Sequence, residues 1–268
     1  MMLAAHGSVP PVRDQMLAVQ KLSKSFQGTV AADEVSFELA PGGSLGLVGE
    51  SGSGKTTIAR MLVGLVTPDS GTITVAGRAR GPKERGKAAR LRRAREIQMV
   101  FQDPYLSLDP RLTATECLHT SLRLHGKPPA RAAELLDQVG LGSREAGARP
   151  HQLSGGQRQR LAIARALAVE PSVLVLDEAV AALDVSIQAQ ILELLAQVRR
   201  DAGVALLFVS HDLAVVRHLC EETLVLHRGV VVERGPVERV LAEPEHPYTR
   251  LLLASVPDPG WDPAKVVR

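Results

Sequence analysis

Between Gly49 and Thr57 the chain reads GESGSGKTT. The stretch fits the spacing G-x-x-x-x-G-K-[ST] in full. Ahead of it, SLGLV is an apolar run of strand length. Behind it a helical pattern runs from Lys55 to near Val66, before the turn TPDSG. Strand, glycine-rich loop and helix N-terminus together make an anion cradle, in which backbone amides converge on one point and the helix dipole adds partial positive charge. The amides of Gly52, Ser53, Gly54 and Lys55 are placed to ring a phosphate, with Gly49, Ser51 and Thr57 completing the expected contact. Glycine is needed wherever a side chain would block the ligand's approach. Lys55 brings a point charge to the terminal phosphates, and the Thr56 hydroxyl is a ligand for Mg2+.

Two further stretches extend this chemistry. SVLVLDEA is an apolar strand that ends in Asp177 and Glu178. In a parallel sheet such a strand end lies at the carboxyl edge, where ligands bind. Asp177 suits Mg2+, directly or through water, and Glu178 is positioned to polarise an attacking water. Standing alone, the pair reads equally well as the acidic start of a helix. In LSGGQRQRLAIARAL, Leu153 to Leu167, Ser154 is a natural N-cap, and Gly155 and Gly156 leave amides bare at the start of a helix. One nucleotide's phosphates are already held by the first loop. This second anion-binding helix end is therefore expected to serve a nucleotide on a partner chain.

The remainder of the chain frames these motifs. Of its 268 residues 45% are hydrophobic but only 3% aromatic, so the core must be built from Leu, Val, Ile and Ala. That suits packed helices and buried parallel strands. A net charge of +3 is too weak to argue for nucleic acid. Cys117 and Cys220 stand in no metal-like spacing, which speaks against a disulfide framework and for a reducing compartment. Residues 1–15 read as a disordered lead without the pattern of a secretion signal. No apolar run approaches the ~18 residues that a membrane helix needs. LAVQKLSKSF, VSFELAPGGSLGLVG, GTITVAG and EIQMVFQ read as strands, and residues 104–170 mainly as helix. After Pro171 the pattern becomes strand, helix, strand, helix, and then the hairpin ETLVLHRGVVVERG. Continuous apolar strands alternating with helices predict an α/β fold with a parallel sheet covered on both faces. From Arg78 to Arg95 nine basic residues stand against one acid. The segment reads as a solvated helix and loop; a grip on nucleic acid or anionic lipid is the other reading, and no interleaved aromatics support base stacking.

LSGGQ between a phosphate loop and a strand-end Asp-Glu resembles the nucleotide-binding subunit of ATP-binding cassette (ABC) transporters. The resemblance spans roughly residues 17–260 and rests on several motifs in the family's order. It implies a P-loop NTPase (RecA-like) core with an antiparallel β subdomain and an inserted α-helical subdomain. The expected layout is one ABC ATPase domain over residues 16–260. Its β subdomain and core take 16–102 and 166–245, its helical subdomain 103–165, and 246–268 form a short C-terminal extension. By the same resemblance Phe26 stacks on adenine, and Gln102 in MVFQDP reaches Mg2+ and the attacking water. Ser154, Gly155, Gly156 and Gln157 face the partner's ATP, and Asp184 in the stretch Ala182-Leu183-Asp184 contacts the partner chain. His211 in LLFVSHDL touches the γ-phosphate. The cofactors implied are ATP and Mg2+. The chain departs from the family in reading DEAVAALD where DEPTSALD is usual, losing a proline at Ala179 and two hydroxyls at Val180 and Ala181. Both carboxylates remain, so a competent site is expected.

The cargo has to come from flanking sequence. FQDPYLSLDPRLT, ALDVSIQAQILELL and, near the end, HPYTRLLLASVP resemble the oligopeptide/dipeptide importer subfamily, which also contains nickel importers. The resemblance implies a second ABC ATPase subunit as head-to-tail partner, transmembrane permease subunits, an extracytoplasmic substrate-binding protein, no nucleic acid, and a place on the cytoplasmic face of the cell membrane. A nickel or small-solute importer ATPase, or a soluble ABC ATPase of translation or DNA repair, are the alternatives. From residue chemistry alone HPYT offers only packing: Pro247 opens a helix that Tyr248 and the leucines pin down.

Overall fold

The computed structural model describes residues 15–81, 86–181 and 183–254. Nearly all of the expected disordered lead, residues 82–85 of the basic segment, Ala182, and the end of the chain from residue 255 lie outside the described residues. In chain order the strands are β1 (Leu17–Phe26), β2 (Thr29–Leu39), β3 (Ser44–Val48), β4 (Ser70–Val75), β5 (Arg78–Ala79), β6 (Ile97–Val100), β7 (Val173–Asp177), β8 (Ala205–Ser210), β9 (Glu222–His227) and β10 (Val230–Pro236). The helices are α1 (Lys55–Val63), α2 (Lys87–Glu96), α3 (Ala114–Leu124), α4 (Arg131–Gln138), α5 (Ser143–Ala146), α6 (Gly155–Leu167), α7 (Val185–Ala202), α8 (Leu213–Leu219), α9 (Val237–Ala242) and α10 (Pro247–Ala254).

Two sheets form. One is four-stranded in the order β2-β1-β4-β5, with antiparallel pairs throughout. The other is six-stranded in the order β10-β9-β3-β8-β7-β6. Its strands β9, β3, β8, β7 and β6 run parallel, and β10 closes the edge antiparallel to β9. Every residue of β3, β7 and β8 is buried, which is why these strands are apolar runs rather than alternating ones. Successive side chains go to opposite faces. Val48, Leu174, Leu176, Leu206 and Phe208 join a core with α6, α7 and α8. Leu45, Leu47, Val175, Leu207 and Val209 join a second core with α1 and the inner face of the antiparallel sheet.

Helix boundaries follow local chemistry. The helix expected to reach Val66 stops at Val63, because Gly64 takes a left-handed conformation at φ 78 and donates its amide to the Met61 carbonyl at 3.0 Å. Thr113 and Glu116 close a capping box at the start of α3, with the Thr113 amide donating to Glu116 Oε2 at 2.7 Å. The four-residue α5 falls within the stretch expected to be mainly helix, whereas the six-residue α9 is too short to show a periodicity.

Part of the basic segment is committed to the fold. Arg80 is buried against Glu96 at 3.1 Å and donates to the Leu62 and Arg93 carbonyls. Arg95 donates to the His125 carbonyl at 2.6 Å. The described side chains thus include structural arginines as well as the exposed face of α2. The two cysteines are free and buried.

Candidate active site

The parallel strands bring the sequence motifs to one edge. β8 lies between β3 and β7, with Val48 opposite Ser210 and Val209 opposite Asp177. The residues that follow these strands are Gly49, His211 and Glu178, so all three emerge together at the carboxyl edge. Gln102 follows β6, the neighbour of β7 on the far side.

The Gly49–Thr57 loop is set by its glycines. Gly49 and Gly54 have φ 154 and 108, and a Cβ at either would lie 2.2 Å from the Leu226 carbonyl oxygen or 1.9 Å from that of Ala31. Backbone atoms close both positions to any side chain. Gly54 is also the N-cap of α1 and offers no capping side chain, so the first amides of the helix remain open to an anion. The Lys55 ammonium is held by the carbonyls of Gly49 at 2.7 Å and Glu50 at 2.8 Å. Burial pulls its pKa below the ordinary lysine value, although Glu178, Asp177 and Glu50 resist the fall.

Opposite the loop, the Thr56 hydroxyl donates to Asp177 Oδ1 at 3.0 Å. Burial raises the Asp177 carboxyl above its usual range, with the nearby Glu178 charge adding to the rise and the Thr56 hydrogen bond opposing it. A carboxylate whose charge is so poorly solvated favours an arriving cation. A hydroxyl and a carboxylate are hard oxygen donors, and two protein ligands suit Mg2+, which keeps water and phosphate oxygens for its other positions. The residues present therefore fit Mg2+ beside a polyphosphate.

Glu178 itself sits in a left-handed backbone conformation, φ 47, held by its amide's bond to the Val209 carbonyl at 3.0 Å. Its carboxylate lies 3.6 Å from His211 Nδ1, with the imidazole about half exposed. Of the three DEAVAALD departures, Ala179 and Val180 are buried in the core shared with α6 and α7, where apolar side chains belong, while Ala181 is exposed and nothing in the structure explains it.

Other candidate residues stand apart from this cluster. Gln102 is exposed and lines a cavity of about 380 Å³ together with Tyr105, Gly155, Arg158, Ala179 and Leu183, on the side of α6 rather than of Thr56. Ser154 caps α6 through its Oγ, which accepts the Gln157 amide at 3.3 Å, while Gln157 Oε1 accepts the Ser154 amide at 2.9 Å. The Gln157 side chain is therefore used locally, and it also donates to Glu145. Asp184 is the exposed N-cap of α7. Phe26 is exposed at the end of β1, with the Lys24 ammonium 5.2 Å from its ring.

Gly156 has a role that its motif does not announce. A Cβ there would lie 2.5 Å from Ile187 Cγ2, so glycine lets α6 and the start of α7 meet. Isoleucine is stiff at χ1 and cannot swing that methyl away cheaply. Gly156→Ala is expected to destabilise the chain by about 1–2 kcal/mol, overpacking outweighing the gain in helix propensity. Denaturant unfolding of the two chains checks it; an unchanged or raised midpoint would contradict the packing role.

Known proteins resemble this chain in sequence and in fold. Residues 32–181 match the ABC transporter family model, and residues 232–266 match that of the oligopeptide/dipeptide transporter C-terminal region. The chain is 51% identical over 232 residues to the glutathione import ATP-binding protein GsiA of Escherichia coli (strain K12), and 50% identical to that of Shigella boydii serotype 4 (strain Sb227). In each case 85% of this chain is covered, but only 37% of the relative's length. Among solved structures it resembles cbiO1 from Clostridium perfringens, part of the ABC transporter complex cbiONQ, with TM-score 0.76 and 27% identity over 86% of this chain and 92% of that one. It also resembles the dimeric post-hydrolysis state of the ATP-binding cassette MJ0796 bound to ADP and Pi, with TM-score 0.74 and 29% identity over 83% and 99% of the two chains. With loop, carboxylates, capped glycine helix and strand-end histidine in place, and more than half its length matched, the chain belongs to the ABC transporter family.

Proposed function

We propose that this chain is the ATP-hydrolysing motor of an importer for oligopeptides or dipeptides, acting through separate membrane subunits. The ATPase part of this reading is carried by the convergence of the Gly49–Thr57 loop, the Thr56–Asp177 pair and the Glu178–His211 pair at one sheet edge. The cargo part is supported by the match of residues 232–266 and by relatives named for import of glutathione, a short peptide.

In this reading the amides of Gly52, Ser53, Gly54 and Lys55, with Gly49, Ser51 and Thr57 around them, cradle the phosphates of ATP, and Phe26 stacks on the adenine. Thr56 and Asp177 would hold Mg2+, which when bound neutralises charge on the phosphate oxygens, and by the family resemblance Gln102 would reach it from the α6 side. Glu178 orients and polarises the water. The water oxygen bonds to the γ-phosphorus as the bond to the bridging oxygen breaks, leaving ADP and phosphate. His211, beside Glu178, donates toward the γ-phosphate oxygens. The protein's contribution is positioning and electrostatics rather than covalent chemistry.

The α6 start, with Ser154, Gly155, Gly156 and Gln157, faces the ATP of a second ATPase subunit, and Asp184 contacts that partner. The dimeric cassette structures support such a pair. A different chain as the partner, permeases, and an extracytoplasmic binding protein complete the assembly, which places this subunit at the cytoplasmic face of a membrane. No helix of the described residues is long and apolar enough to cross one itself.

The test is uptake of a labelled dipeptide into vesicles holding the chain with its permeases and binding protein. ATP-dependent uptake that falls to background with Lys55→Ala is the expected result. Uptake of nickel but not of peptide, or co-purification with ribosomes or DNA in place of permeases, would overturn the cargo or transport reading.

A further inference from the structure

We propose that Tyr248 of the C-terminal HPYT stretch is a positioning residue for the phosphate loop, acting on nucleotide affinity through the Gly49–Glu50 peptide. This rests on the ATP-binding reading above. The Tyr248 hydroxyl accepts the backbone N–H of Glu50 at 3.0 Å, joining residues 198 apart in sequence. The carbonyl of the same peptide unit, that of Gly49, accepts from the Lys55 ammonium at 2.7 Å. One peptide plane is thus gripped at both ends, by the lysine that serves the phosphates and by the tyrosine of the hook.

The grip matters because of where that peptide stands. Gly49 is closed to any side chain by Leu226 O, and its φ of 154 is set by the turn out of β3. The Glu50 amide lies outside the Gly52–Lys55 ring of phosphate-binding amides, in an otherwise exposed residue, and backbone donors in a folded chain are normally paired. Tyr248 supplies its partner. Without it only the Lys55 contact restrains the peptide, and rotation would carry the Gly49 carbonyl away from Lys55 and redirect the ammonium.

The hook is built to hold this contact. The buried Glu233 carboxylate on β10 accepts the amides of Glu245 at 2.9 Å and His246 at 3.0 Å, fixing the chain just ahead of α10. His246 Nδ1 accepts the Tyr248 amide at 3.2 Å, and Pro247 opens the helix. The Tyr248 ring packs against His227 at the end of β9, centroids 3.9 Å apart and planes tilted by 40°, and Thr249 and Leu252 are buried as well. His246, Pro247 and Glu233 aim the ring, and its hydroxyl reaches the loop.

The experiment compares three full-length chains, wild type, Tyr248→Phe and Leu252→Ala, by ATP titration calorimetry and by thermal unfolding without nucleotide. Phenylalanine keeps the ring on His227 and removes only the acceptor. Leu252→Ala loosens α10 one turn further on without touching the loop. The expected result is a Kd for ATP raised about 3- to 10-fold in Tyr248→Phe, the size of one lost hydrogen bond, with little change in Tm. Leu252→Ala should lower Tm and keep the wild-type Kd. A Kd for Tyr248→Phe within twofold of wild type would overturn the proposal, as would an equal rise in Leu252→Ala. A wild-type chain that fails to bind ATP at all would instead overturn the functional reading on which the proposal stands.

Discussion

A Glu178→Gln chain is expected to bind ATP as the wild type does and to hydrolyse it about 10²–10⁴-fold more slowly, the range for removal of a positioned general base. Glutamine keeps the shape of the side chain and loses the charge that polarises water. The backbone at this position is already strained at φ 47 and tied to the Val209 carbonyl, so the substitution leaves the loop where it is. The neighbouring His211, 3.6 Å away, would face an uncharged amide in place of the carboxylate. Phosphate release from the complex with its membrane partners, alongside ATP binding by the isolated chain, separates the two effects. Turnover within tenfold of wild type would refute the assignment of Glu178.

Gly54→Ala should fail at an earlier step. Its Cβ would lie 1.9 Å from the Ala31 carbonyl oxygen, a backbone atom that cannot swing aside as a side chain can, and φ 108 is itself unfavourable for alanine. Overpacking and backbone strain together are expected to cost about 3 kcal/mol. The amides that precede Lys55 would also be displaced, so ATP binding should be lost together with stability. Urea unfolding and nucleotide titration measure the two. A chain that unfolds with the wild-type midpoint and still binds ATP would show that the loop is not held as described.

What could be read from the sequence was what a few neighbouring residues encode. β3, β7 and β8 were legible as unbroken apolar runs because both of their faces are covered. The phosphate loop was legible because its chemistry needs fixed spacing within nine residues. The residues that failed to declare themselves act across long separations. Gly156 reads as a bare-amide glycine, and only the approach of Ile187 from the next helix reveals its packing role. Ala179 and Val180 looked like losses against the family pattern, yet they fill buried sites. Arg80 reads as one charge in a basic run and proves to be buried against Glu96. Tyr248 looked like a core aromatic, because nothing near it in the chain hints that its hydroxyl meets a loop at the other end of the sequence.

The strand order also governs when the site comes into being during synthesis. β3, which carries the phosphate loop, pairs only with β8 and β9, strands made more than 150 residues later. The lysine and its loop leave the ribosome well before the strands that shape them, and Tyr248 comes later still. Such late, long-range pairing is slow and leaves the nascent segment without its neighbours. Nucleotide capture by this chain therefore reports that nearly the whole domain has folded, and a chain stalled before β8 should hold no ATP however complete its motif.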